Sequence, residues 1–510
     1  YNVLCTRYIA EDFRGGLTMK GDIKDSVKKV MIVFLFFLVA LISYIAYFQV
    51  FKAPKIAEMP GNQRAWARKN QVLRGEILDS SGKVIAKSIR EKNNTQKREY
   101  EYGALYAHPI GYISSIYGES GLEAAYDKEL TTSDNASVRF KKLLSNPSLE
   151  NLKDAFFTRN HKNKIGNTVV TTLDTKLQKT ASEALGSNKG AVVALDPKTG
   201  AVLAMVSKPS FNPNNLEEEM KKANKGTAEN SPLINRAING LYPPGSTFKI
   251  VTTTSALQNI PGIQNRIFND NGSITFGDGR SLSNVKGIAN GSINLRSAFI
   301  ASSNVVFGTL GMELGNQKLM KTAEKFGFNK DIPANGFTIT KSSFPEESNP
   351  GQLAQTGIGQ SSILATPMQM ALVASAVANN GVIMEPNLVG KVLDQEGNVV
   401  ETIKTKEFSK VMDKSDAETI KGYMKGLVQK NIDSGTWSYL AGTDAAAKTG
   451  TADYNNSDGT PATPHSWFVS FAPADNPKIA VAVIVENGGF GAIKAAQVGG
   501  AVINAKLGNN

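Results

Sequence analysis

The longest uninterrupted apolar stretch of the chain runs from Val30 to Phe51 and contains no charged residue. As a helix it would reach about 33 Å, which is enough to cross a bilayer. It is longer than the apolar part of a signal peptide, and no small-residue cleavage site accompanies it. Four lysines come before it, which favours a cytoplasmic N-terminus: Lys20, Lys24, Lys28 and Lys29. Four basic residues also follow it, so the charge bias alone is weak evidence for this orientation: Lys52, Lys55, Arg64 and Arg68. We therefore predict a single-pass membrane helix over residues 30–51.

Further along, pairs of apolar segments joined by turn residues predict β-hairpins. GAVVALD and GAVLAMVS flank Asp196–Gly200, and HSWFVSFAP and KIAVAVIVE flank Ala474–Pro477. Helical spacing is present over Thr175–Leu185 and Ala492–Ala505, and Thr168–Leu173 has the composition of a strand. Strands at both ends of this region with helices between them predict an α+β fold, in which helices pack on one antiparallel sheet.

Between the apolar run and this region the chain is polar and basic. The alternation on either side of Asp79–Gly82 predicts a hairpin, and Leu122–Leu130 has helical spacing without a helix breaker. Thr158–Asn167 is polar and basic, as expected of a linker. A smaller N-terminal module is therefore expected before the α+β region.

Composition narrows the possible partners. The 510 residues carry a net charge of +12, which suits an anionic partner, but no nucleic-acid-binding signature accompanies the charge and we expect no nucleic-acid partner. Cys5 is the only cysteine, so an internal disulfide is impossible, and the three histidines are far apart in sequence. The sequence predicts neither a metal site nor a cofactor.

Ser246 and Lys249, in LYPPGSTFKIVTTTSAL, form the first candidate catalytic pair. Residues three apart lie on the same side of a helix, and the apolar neighbours of Lys249 predict that this helix is buried. Burial lowers the pKa of a lysine, and a neutral lysine can accept a serine proton. By itself the spacing is weak evidence, because a serine that begins a helix is more often only an N-cap.

Two further polar groups interrupt apolar surroundings. Ser302 and Asn304 lie in AFIASSNVVFGTL, where polar side chains need partners. In DAAAKTGTADY the alanines predict a buried strand, Gly450 allows close approach to the backbone, and the remaining side chains suit a carboxylate: Lys448, Thr449 and Thr451. In isolation a polar loop and an ordinary turn explain these two motifs better.

Taken together, SxxK, SxN and KTG in this order form a specific constellation. With them, the chain resembles the class B penicillin-binding proteins, which are monofunctional peptidoglycan D,D-transpeptidases. RGEILDSSGKVIA and SGLEAAYDKEL resemble the boxes of the N-terminal module of that family, and IGQSSILATPMQMA resembles part of its transpeptidase core. The resemblance covers nearly everything from the apolar run onward and implies a serine β-lactamase-like fold.

The resemblance also implies a role for each motif residue. Ser246 would be the acylated nucleophile, Lys249 its general base, and Ser302 the proton relay to the leaving amine. Asn304 would hold the substrate and orient Lys249, while Lys448, Thr449 and Thr451 would bind the terminal carboxylate. Gly450 would belong to the same substrate-binding segment. The backbone N–H groups of Ser246 and Thr451 would form the oxyanion hole.

The implied substrate is a peptidoglycan stem peptide, and β-lactams would leave the serine acylated. The implied partner is a SEDS-type glycosyltransferase in a bacterial cell membrane, with the catalytic domain outside. The run FRGGLTM is what an in-frame ribosome-binding site would encode, so we expect translation to begin at Met19. The expected domains are residues 1–18, read-through or added sequence; 19–29, a cytoplasmic tail; 30–51, the membrane helix; 52–165, a pedestal or dimerisation-like module; and 166–510, the transpeptidase domain.

Several alternatives share these motifs. A D,D-carboxypeptidase would use water as the acceptor, and a β-lactamase would need a carboxylate such as Glu346 or Glu347 to activate water. A non-catalytic β-lactam sensor would need a cytoplasmic signalling region, and only about ten residues precede the membrane helix if translation begins at Met19. A pure scaffold would not need to keep every motif residue intact. His465 is the only histidine near a motif, and we expect it to position the strand beside KTGT rather than act as a base.

Overall fold

The computed structural model describes residues 19–52, 66, 69–92, 95–132, 148, 164–226, 230–277, 279–453, 460 and 462–509. The predictions for residues 1–18 and for most of the 158–167 linker therefore lie outside the described residues. The chain divides into one unit of residues 1–68 with 115–118 and a second unit of residues 69–114 with 119–510.

Helices and strands alternate along the described parts of the chain. The α-helices are α1 (Met19–Tyr47), α2 (Ala107–Ile110), α3 (Gly121–Ala125), α4 (Asp127–Thr131), α5 (Thr175–Leu185), α6 (Leu216–Ala223), α7 (Arg236–Asn239), α8 (Lys249–Asn259), α9 (Leu295–Ala301), α10 (Asn304–Lys325), α11 (Pro350–Gly357), α12 (Pro367–Ala378), α13 (Lys414–Asp433) and α14 (Lys494–Leu507). The strands are β1 (Ile77–Leu78), β2 (Val84–Arg90), β3 (Gln96–Tyr100), β4 (Ile113–Ser114), β5 (Gly118–Glu119), β6 (Thr168–Thr171), β7 (Gly190–Leu195), β8 (Val202–Lys208), β9 (Ile267–Asp270), β10 (Ser273–Thr275), β11 (Ser281–Ser283), β12 (Gly291–Asn294), β13 (Val382–Met384), β14 (Val389–Leu393), β15 (Val399–Thr402), β16 (Glu407–Lys410), β17 (Ala446–Ala452), β18 (His465–Ala472) and β19 (Ile479–Val485).

In the first unit, α1 is the apolar helix. Its residues Val27–Tyr47 have a mean hydropathy of 2.7 and are long and apolar enough to cross a membrane. Their side chains are exposed, as expected of a surface that faces lipid rather than a protein core. The predicted span of residues 30–51 overlaps this helix, but the α-helix ends at Tyr47 and a π-helical turn, Phe48–Lys52, follows it.

The main sheet of the second unit has five antiparallel strands in the order β17-β18-β19-β7-β8. Both predicted hairpins are present in it, as β7–β8 and β18–β19. Helices cover both faces, with α5 and α14 on one side and α12 on the other. Strands buried on both faces carry nearly continuous apolar sequence, and every residue of β19 is buried. The predicted α+β class and antiparallel sheet are confirmed.

Successive residues of β19 point into two different cores. Ala480, Ala482 and Ile484 belong to the larger core, which includes α8 and α12, whereas Val481 and Val483 belong to the smaller core beneath α5 and α14. This alternation follows from the two-residue period of a strand. The larger core is the one that holds α8, so it fixes the helix that begins three residues after Ser246, at Lys249.

A second sheet joins distant segments in the order β15-β14-β6-β1-β2-β3. The predicted hairpin at Asp79–Gly82 is present as β1–β2, and β1 pairs in parallel with β6. The segment predicted as an early strand of the main sheet, Thr168–Leu173, is thus β6 of this sheet. The N-terminal module and the α+β region therefore share this sheet, and Asn167, just before β6, is buried.

The helix predicted over Leu122–Leu130 is two short helices, α3 and α4. The break falls at Tyr126, whose backbone angles are φ −115° and ψ 23°. The Tyr126 hydroxyl donates a hydrogen bond of 2.9 Å to Asn335 Oδ1. The side-chain contact is a tertiary one, and helical spacing alone does not reveal it.

Candidate active site

Ser246 lies in a turn of 3-10 helix, Gly245–Phe248, which leads directly into α8. Gly245 has a φ of +53°, a conformation that favours glycine, and its N–H donates to the carbonyl of Gly359 at 2.9 Å. Ser246 is partly exposed, whereas Thr247 and Phe248, which follow it in the turn, are buried. The turn therefore presents one hydroxyl at the surface of a rigid core.

Lys249, the first residue of α8, is completely buried, as its apolar neighbours predicted. Its Nζ donates to the Ser302 carbonyl at 2.7 Å, to Ser302 Oγ at 3.2 Å and to Asn304 Oδ1 at 2.9 Å. These bonds satisfy a nitrogen that would otherwise be costly to bury. They also bring together the first two motifs, which are more than fifty residues apart in sequence.

The SxN motif forms the turn between α9 and α10. Ser302 ends α9 in the left-handed conformation, with φ 56° and ψ 39°, and Ser303 caps α10 by accepting a hydrogen bond from the Val306 N–H at 3.0 Å. Asn304 then begins α10, and its Nδ2 donates to the Ser283 carbonyl at 2.9 Å. The turn directs both the Ser302 hydroxyl and the Asn304 amide oxygen towards Lys249.

The KTGT motif lies on β17, an edge strand of the main sheet. The predicted buried strand is therefore confirmed, and the alternative of an ordinary turn is wrong. Lys448 is completely buried, and its Nζ donates to Ser302 Oγ at 3.0 Å and to the Thr449 carbonyl at 3.0 Å. Thr449 and Thr451 are both partly exposed, as the two-residue period of a strand dictates. The Ser302 hydroxyl thus has a lysine nitrogen on either side.

The serine turn and β17 pack backbone to backbone. A Cβ added to Gly450 would lie 2.8 Å from the Pro244 carbonyl oxygen, and one added to Gly245 would lie 2.6 Å from the Thr451 carbonyl oxygen. Trp467, opposite Gly450 on β18, donates its indole N–H to the Pro243 carbonyl at 2.9 Å. The missing side chains allow the backbone of Ser246 to lie close to that of Thr451.

The two lysines have unusual electrostatic surroundings. Burial, and then the neighbouring Lys448 charge, hold the pKa of Lys249 well below its ordinary value. Burial lowers the pKa of Lys448 to about 7. The Phe307 ring centroid lies 5.3 Å from Lys249 Nζ, and the Phe299 centroid lies 5.7 Å from Lys448 Nζ. A neutral lysine, which can accept a proton, is therefore accessible near neutral pH.

The alternative catalytic groups have other contacts. His465 pairs with Ala452 at the end of β17, and its Nδ1 accepts a hydrogen bond from the Asn487 N–H at 3.2 Å. Its ring meets that of Tyr242 edge-on at 5.5 Å, and burial lowers its pKa to about 4. Glu347 accepts a hydrogen bond from the Ser361 hydroxyl at 2.8 Å. Within the described ranges, no three His, Cys, Asp or Glu side chains cluster as metal ligands would.

Sequence reasoning did not find several residues that surround the site. Asn284 accepts hydrogen bonds from the backbone N–H of Asn304 and donates to the buried carboxylate of Asp270. Phe299 and Phe307 lie beside the lysines. An Asp or Asn in a polar loop is common, and no spacing connects residue 270 with residue 304, so the sequence held no signal for this contact.

The sequence matches two known domain families. Residues 190–504 match the penicillin-binding protein transpeptidase domain, and residues 74–150 match the penicillin-binding protein A dimerisation domain. The chain belongs to the penicillin-binding protein transpeptidase family, and the class B assignment made from the motifs is confirmed.

Relatives and solved structures agree with this assignment. The chain is 33% identical over 477 residues to "Peptidoglycan D,D-transpeptidase PbpA" of Mycolicibacterium smegmatis. The matched region covers 90% of this chain and 94% of the relative. It is similar to the D,D-transpeptidase domain of a peptidoglycan glycosyltransferase from Eggerthella lenta, with 34% identity, a TM-score of 0.74 and coverage of 86% of this chain and 99% of that one. It is also similar to the penicillin G acyl-enzyme complex of penicillin-binding protein A from M. tuberculosis, with 32% identity, a TM-score of 0.75 and coverage of 86% and 100%.

Proposed function

We propose that this chain is a peptidoglycan D,D-transpeptidase that cross-links stem peptides through an acyl-enzyme on Ser246, and that β-lactams inhibit it by acylating the same serine. The observation that carries the proposal is the convergence of Lys249 and Lys448 on the Ser302 hydroxyl, at 3.2 and 3.0 Å, beside the serine turn. Relatives named peptidoglycan D,D-transpeptidases and a penicillin acyl-enzyme structure support it.

In the acylation step, Ser246 Oγ attacks the carbonyl carbon of the penultimate D-Ala. Lys249 takes the hydroxyl proton in its neutral form. Its lowered pKa increases the fraction of the lysine that is neutral. The C–N bond to the terminal D-Ala then breaks, and a proton passes from Lys249 through Ser302 to the leaving amine. The product is an ester between Ser246 and the stem peptide, together with free D-Ala.

Developing negative charge on the carbonyl oxygen would be stabilised by two backbone N–H groups, those of Ser246 and Thr451. Gly245 lies close to the Thr451 carbonyl, and Gly450 lies close to the Pro244 carbonyl. These contacts support the role, because a side chain at either glycine would push the two segments apart. The 3-10 turn adds favourable potential, since N–H groups at the start of a helix point towards the ligand.

Substrate binding falls to the exposed side of β17 and to the SxN turn. Lys448 supplies positive charge for the terminal carboxylate, and Thr449 and Thr451 supply hydroxyl donors on the half-exposed face of the strand. Gly450 lets the strand lie against the serine turn, so that these side chains are next to Ser246. Asn304 binds the peptide and keeps Lys249 oriented through its 2.9 Å hydrogen bond.

The acyl group then passes to the amine of a second stem peptide. The amine attacks the ester carbonyl, loses its proton to Lys249, and forms the cross-linking amide while Ser246 recovers its hydroxyl proton. A β-lactam enters the first step in the same way, but opening of its ring leaves no separate leaving group. The acyl-enzyme therefore keeps the whole antibiotic attached.

We further propose that α1 anchors the protein in a bacterial cell membrane, with residues 19–29 in the cytoplasm and the catalytic domain outside. The apolar helix and the four lysines at and before its N-terminal end support this orientation. Residues 52–165 would act as the pedestal and residues 166–510 as the transpeptidase domain. A SEDS-type glycosyltransferase that makes the glycan strand is the proposed partner of the pedestal.

The test is a partition experiment with the full chain in detergent. A donor peptide ending in D-Ala-D-Ala is incubated with an acceptor peptide amine, and cross-linked and hydrolysed products are separated by mass spectrometry. We expect the cross-linked product to rise with acceptor concentration at the expense of hydrolysis. Hydrolysis without cross-linking would indicate a carboxypeptidase. In a parallel incubation with penicillin, rapid hydrolysis of the antibiotic would indicate a β-lactamase, and folded protein that is not acylated would indicate a scaffold.

A further inference from the structure

Asp270, at the end of β9, is a completely buried carboxylate to which several segments donate hydrogen bonds. Its Oδ1 accepts from the Gly272 N–H at 3.0 Å and from Asn284 Nδ2 at 2.7 Å. Its Oδ2 accepts from Asn290 Nδ2 at 2.6 Å and from the Ser303 hydroxyl at 2.7 Å. A carboxylate this well supplied with donors is stable in a buried site, whereas an unpaired one would not be.

These bonds keep the carboxylate charged. Burial alone would raise the pKa of Asp270, but the hydrogen bonds from Ser303, Asn290 and the other donors hold it below the usual range. Asp270 is therefore an anion at every pH at which the enzyme is expected to work.

Asp270 reaches the catalytic turn by two routes. The direct one is its bond to Ser303, the residue that caps α10 between Ser302 and Asn304. The second runs through Asn284, whose Oδ1 accepts from the backbone N–H of Asn304 at 2.7 Å and of Val305 at 3.1 Å. Both routes end on the backbone that aims the Ser302 hydroxyl and the Asn304 amide at Lys249.

Three charged groups from different elements bond to adjacent residues of the catalytic turn. Lys249 and Lys448 both donate to Ser302 Oγ, and Asp270 accepts from the hydroxyl of Ser303. Lys249 comes from α8, Lys448 from β17 and Asp270 from the end of β9. The Lys448 charge opposes protonation of Lys249, whereas the Asp270 charge favours it. The negative charge of Asp270 thus partly offsets the repulsion between two buried lysines that have no carboxylate directly on them in the described part of the chain.

We infer that Asp270 is a positioning residue for the acyl transfer at Ser246: its carboxylate anchors the Ser302–Asn304 turn and sets the charge balance of the Lys249–Lys448 pair. The inference rests on the proposed function, because it concerns the same reaction. The inference assigns two separate effects to the Asp270 carboxylate, one on the acylation rate and one on its pH dependence. Loss of the anchor lowers the maximal acylation rate, and loss of the charge changes the pH at which Lys249 becomes neutral.

The experiment measures the second-order rate constant for acylation by a fluorescent penicillin from pH 4.5 to 9, using the full chain in detergent. Asp270→Asn keeps the shape of the side chain but removes the charge, and it turns one acceptor into a donor that faces other donors. We expect its acid limb to move to lower pH by about half a unit or more, because Lys249 is then harder to protonate. We also expect its maximal rate to fall about tenfold or more, since a buried donor is left unpaired.

Asn284→Ala separates the two effects, because it breaks the route to Asn304 and leaves the charge in place. We expect a lower maximal rate with an unchanged acid limb. Asp79→Asn is the matched control: Asp79 is also buried and accepts hydrogen bonds at a turn, but it lies in the β1–β2 hairpin. We expect both its acid limb and its maximal rate to stay close to those of the wild type.

An acid limb of Asp270→Asn that coincides with that of the wild type would overturn the charge role, and a maximal rate of Asn284→Ala equal to that of the wild type would overturn the anchoring role. Asn284→Ala retains a test of the inference if Asp270→Asn does not fold. Failure of the wild type itself to be acylated would count against the proposed function instead, so the two failures are distinguishable.

Discussion

Lys249 Nζ lies 2.9 Å from Asn304 Oδ1, and the amide nitrogen of the same Asn304 donates to the Ser283 carbonyl at 2.9 Å. The amide is therefore held so that its oxygen, and not its nitrogen, faces the lysine. In the proposed mechanism this lysine loses and regains a proton during each cycle. It then needs an acceptor that does not itself ionise, and an amide oxygen meets this requirement.

Replacing this amide is expected to slow acylation without unfolding the protein. Asn304→Ala removes one hydrogen bond to the base, which we expect to lower the acylation rate constant about ten- to a hundredfold. Asn304→Asp instead places a negative charge beside Lys249, raises its pKa, and should move the acid limb of the pH profile upward. Stopped-flow acylation by a chromogenic cephalosporin measures both. An acid limb that moves downward in Asn304→Asp would contradict the assignment of Lys249 as the base.

The pH dependence of acylation should be bell-shaped. The rate rises as Lys249 loses its proton, and it falls again as Lys448, with a pKa of about 7, loses the charge that binds the carboxylate. Lys448→Arg keeps a positive charge at all of these pH values, so we expect its alkaline limb to disappear even if its maximal rate is lower. The measurement is the rate constant at low antibiotic concentration, which reports the free enzyme. Persistence of the alkaline limb in Lys448→Arg would assign that limb to another group.

Gly450 should not tolerate a side chain. In Gly450→Ala the new methyl group would meet the Pro244 carbonyl at 2.8 Å and the Thr247 methyl at 3.0 Å. We expect a loss of about 1–3 kcal/mol of unfolding free energy and a large loss of acylation, because β17 must move away from the serine turn. Gly422→Ala is the matched control, since a Cβ there meets nothing within 4 Å and α13 favours alanine. Equal acylation by the two variants would show that the close approach is unimportant.

Two buried histidines should make the fold less stable in mild acid. Burial lowers the pKa of His108 and of His465 to about 4, below the ordinary value of 6.5. The free energy of unfolding is therefore unaffected by these histidines above pH 6.5. It decreases as the pH falls towards 4, because the unfolded chain then binds more protons than the folded one. We expect each histidine to lower the free energy of unfolding by about 1 kcal/mol between pH 7.5 and 5.5. Urea denaturation checks this.

His108→Gln provides the comparison for that measurement. The His108 Nε2 lies 3.4 Å from the Pro209 carbonyl oxygen, and its ring meets Phe211 edge-on. The variant should lose stability in acid about half as steeply as the wild type, whatever its stability at pH 7.5. An unchanged slope would mean that folding does not lower the pKa of His108.

The sequence predicted those parts of the fold in which local pattern and tertiary contact agree. The β7–β8 and β18–β19 hairpins combine apolar strands with turn residues, and α5 has a clear helical period and an Asp174 cap. The motifs were recognisable because their chemistry requires particular residue types. The segments that support the SxN turn, which contain Asp270 and Asn284, were not recognisable in the same way.

The second sheet shows the limit of such reasoning. Strand β3, Gln96–Tyr100, has the sequence QKREY, which lacks the apolar alternation that predicts a strand. It forms because Arg98 has a buried partner, Glu123, whose Oε1 accepts from Arg98 Nε at 2.7 Å. Parallel pairing of β1 with β6 likewise joins segments about ninety residues apart, a contact that no local pattern specifies. Asp270 was missed for the same reason.

The central claim is that Ser246 carries the acyl group, and one measurement tests it most directly. The full chain, the Ser246→Ala variant and the Ser302→Ala variant are each incubated with penicillin G, digested and mapped by mass spectrometry. We expect one penicilloyl adduct in the wild type, on the peptide that contains Ser246, none in Ser246→Ala, and a slower appearance of the same adduct in Ser302→Ala. An adduct on any other residue, or on folded Ser246→Ala, would contradict the mechanism proposed for this site.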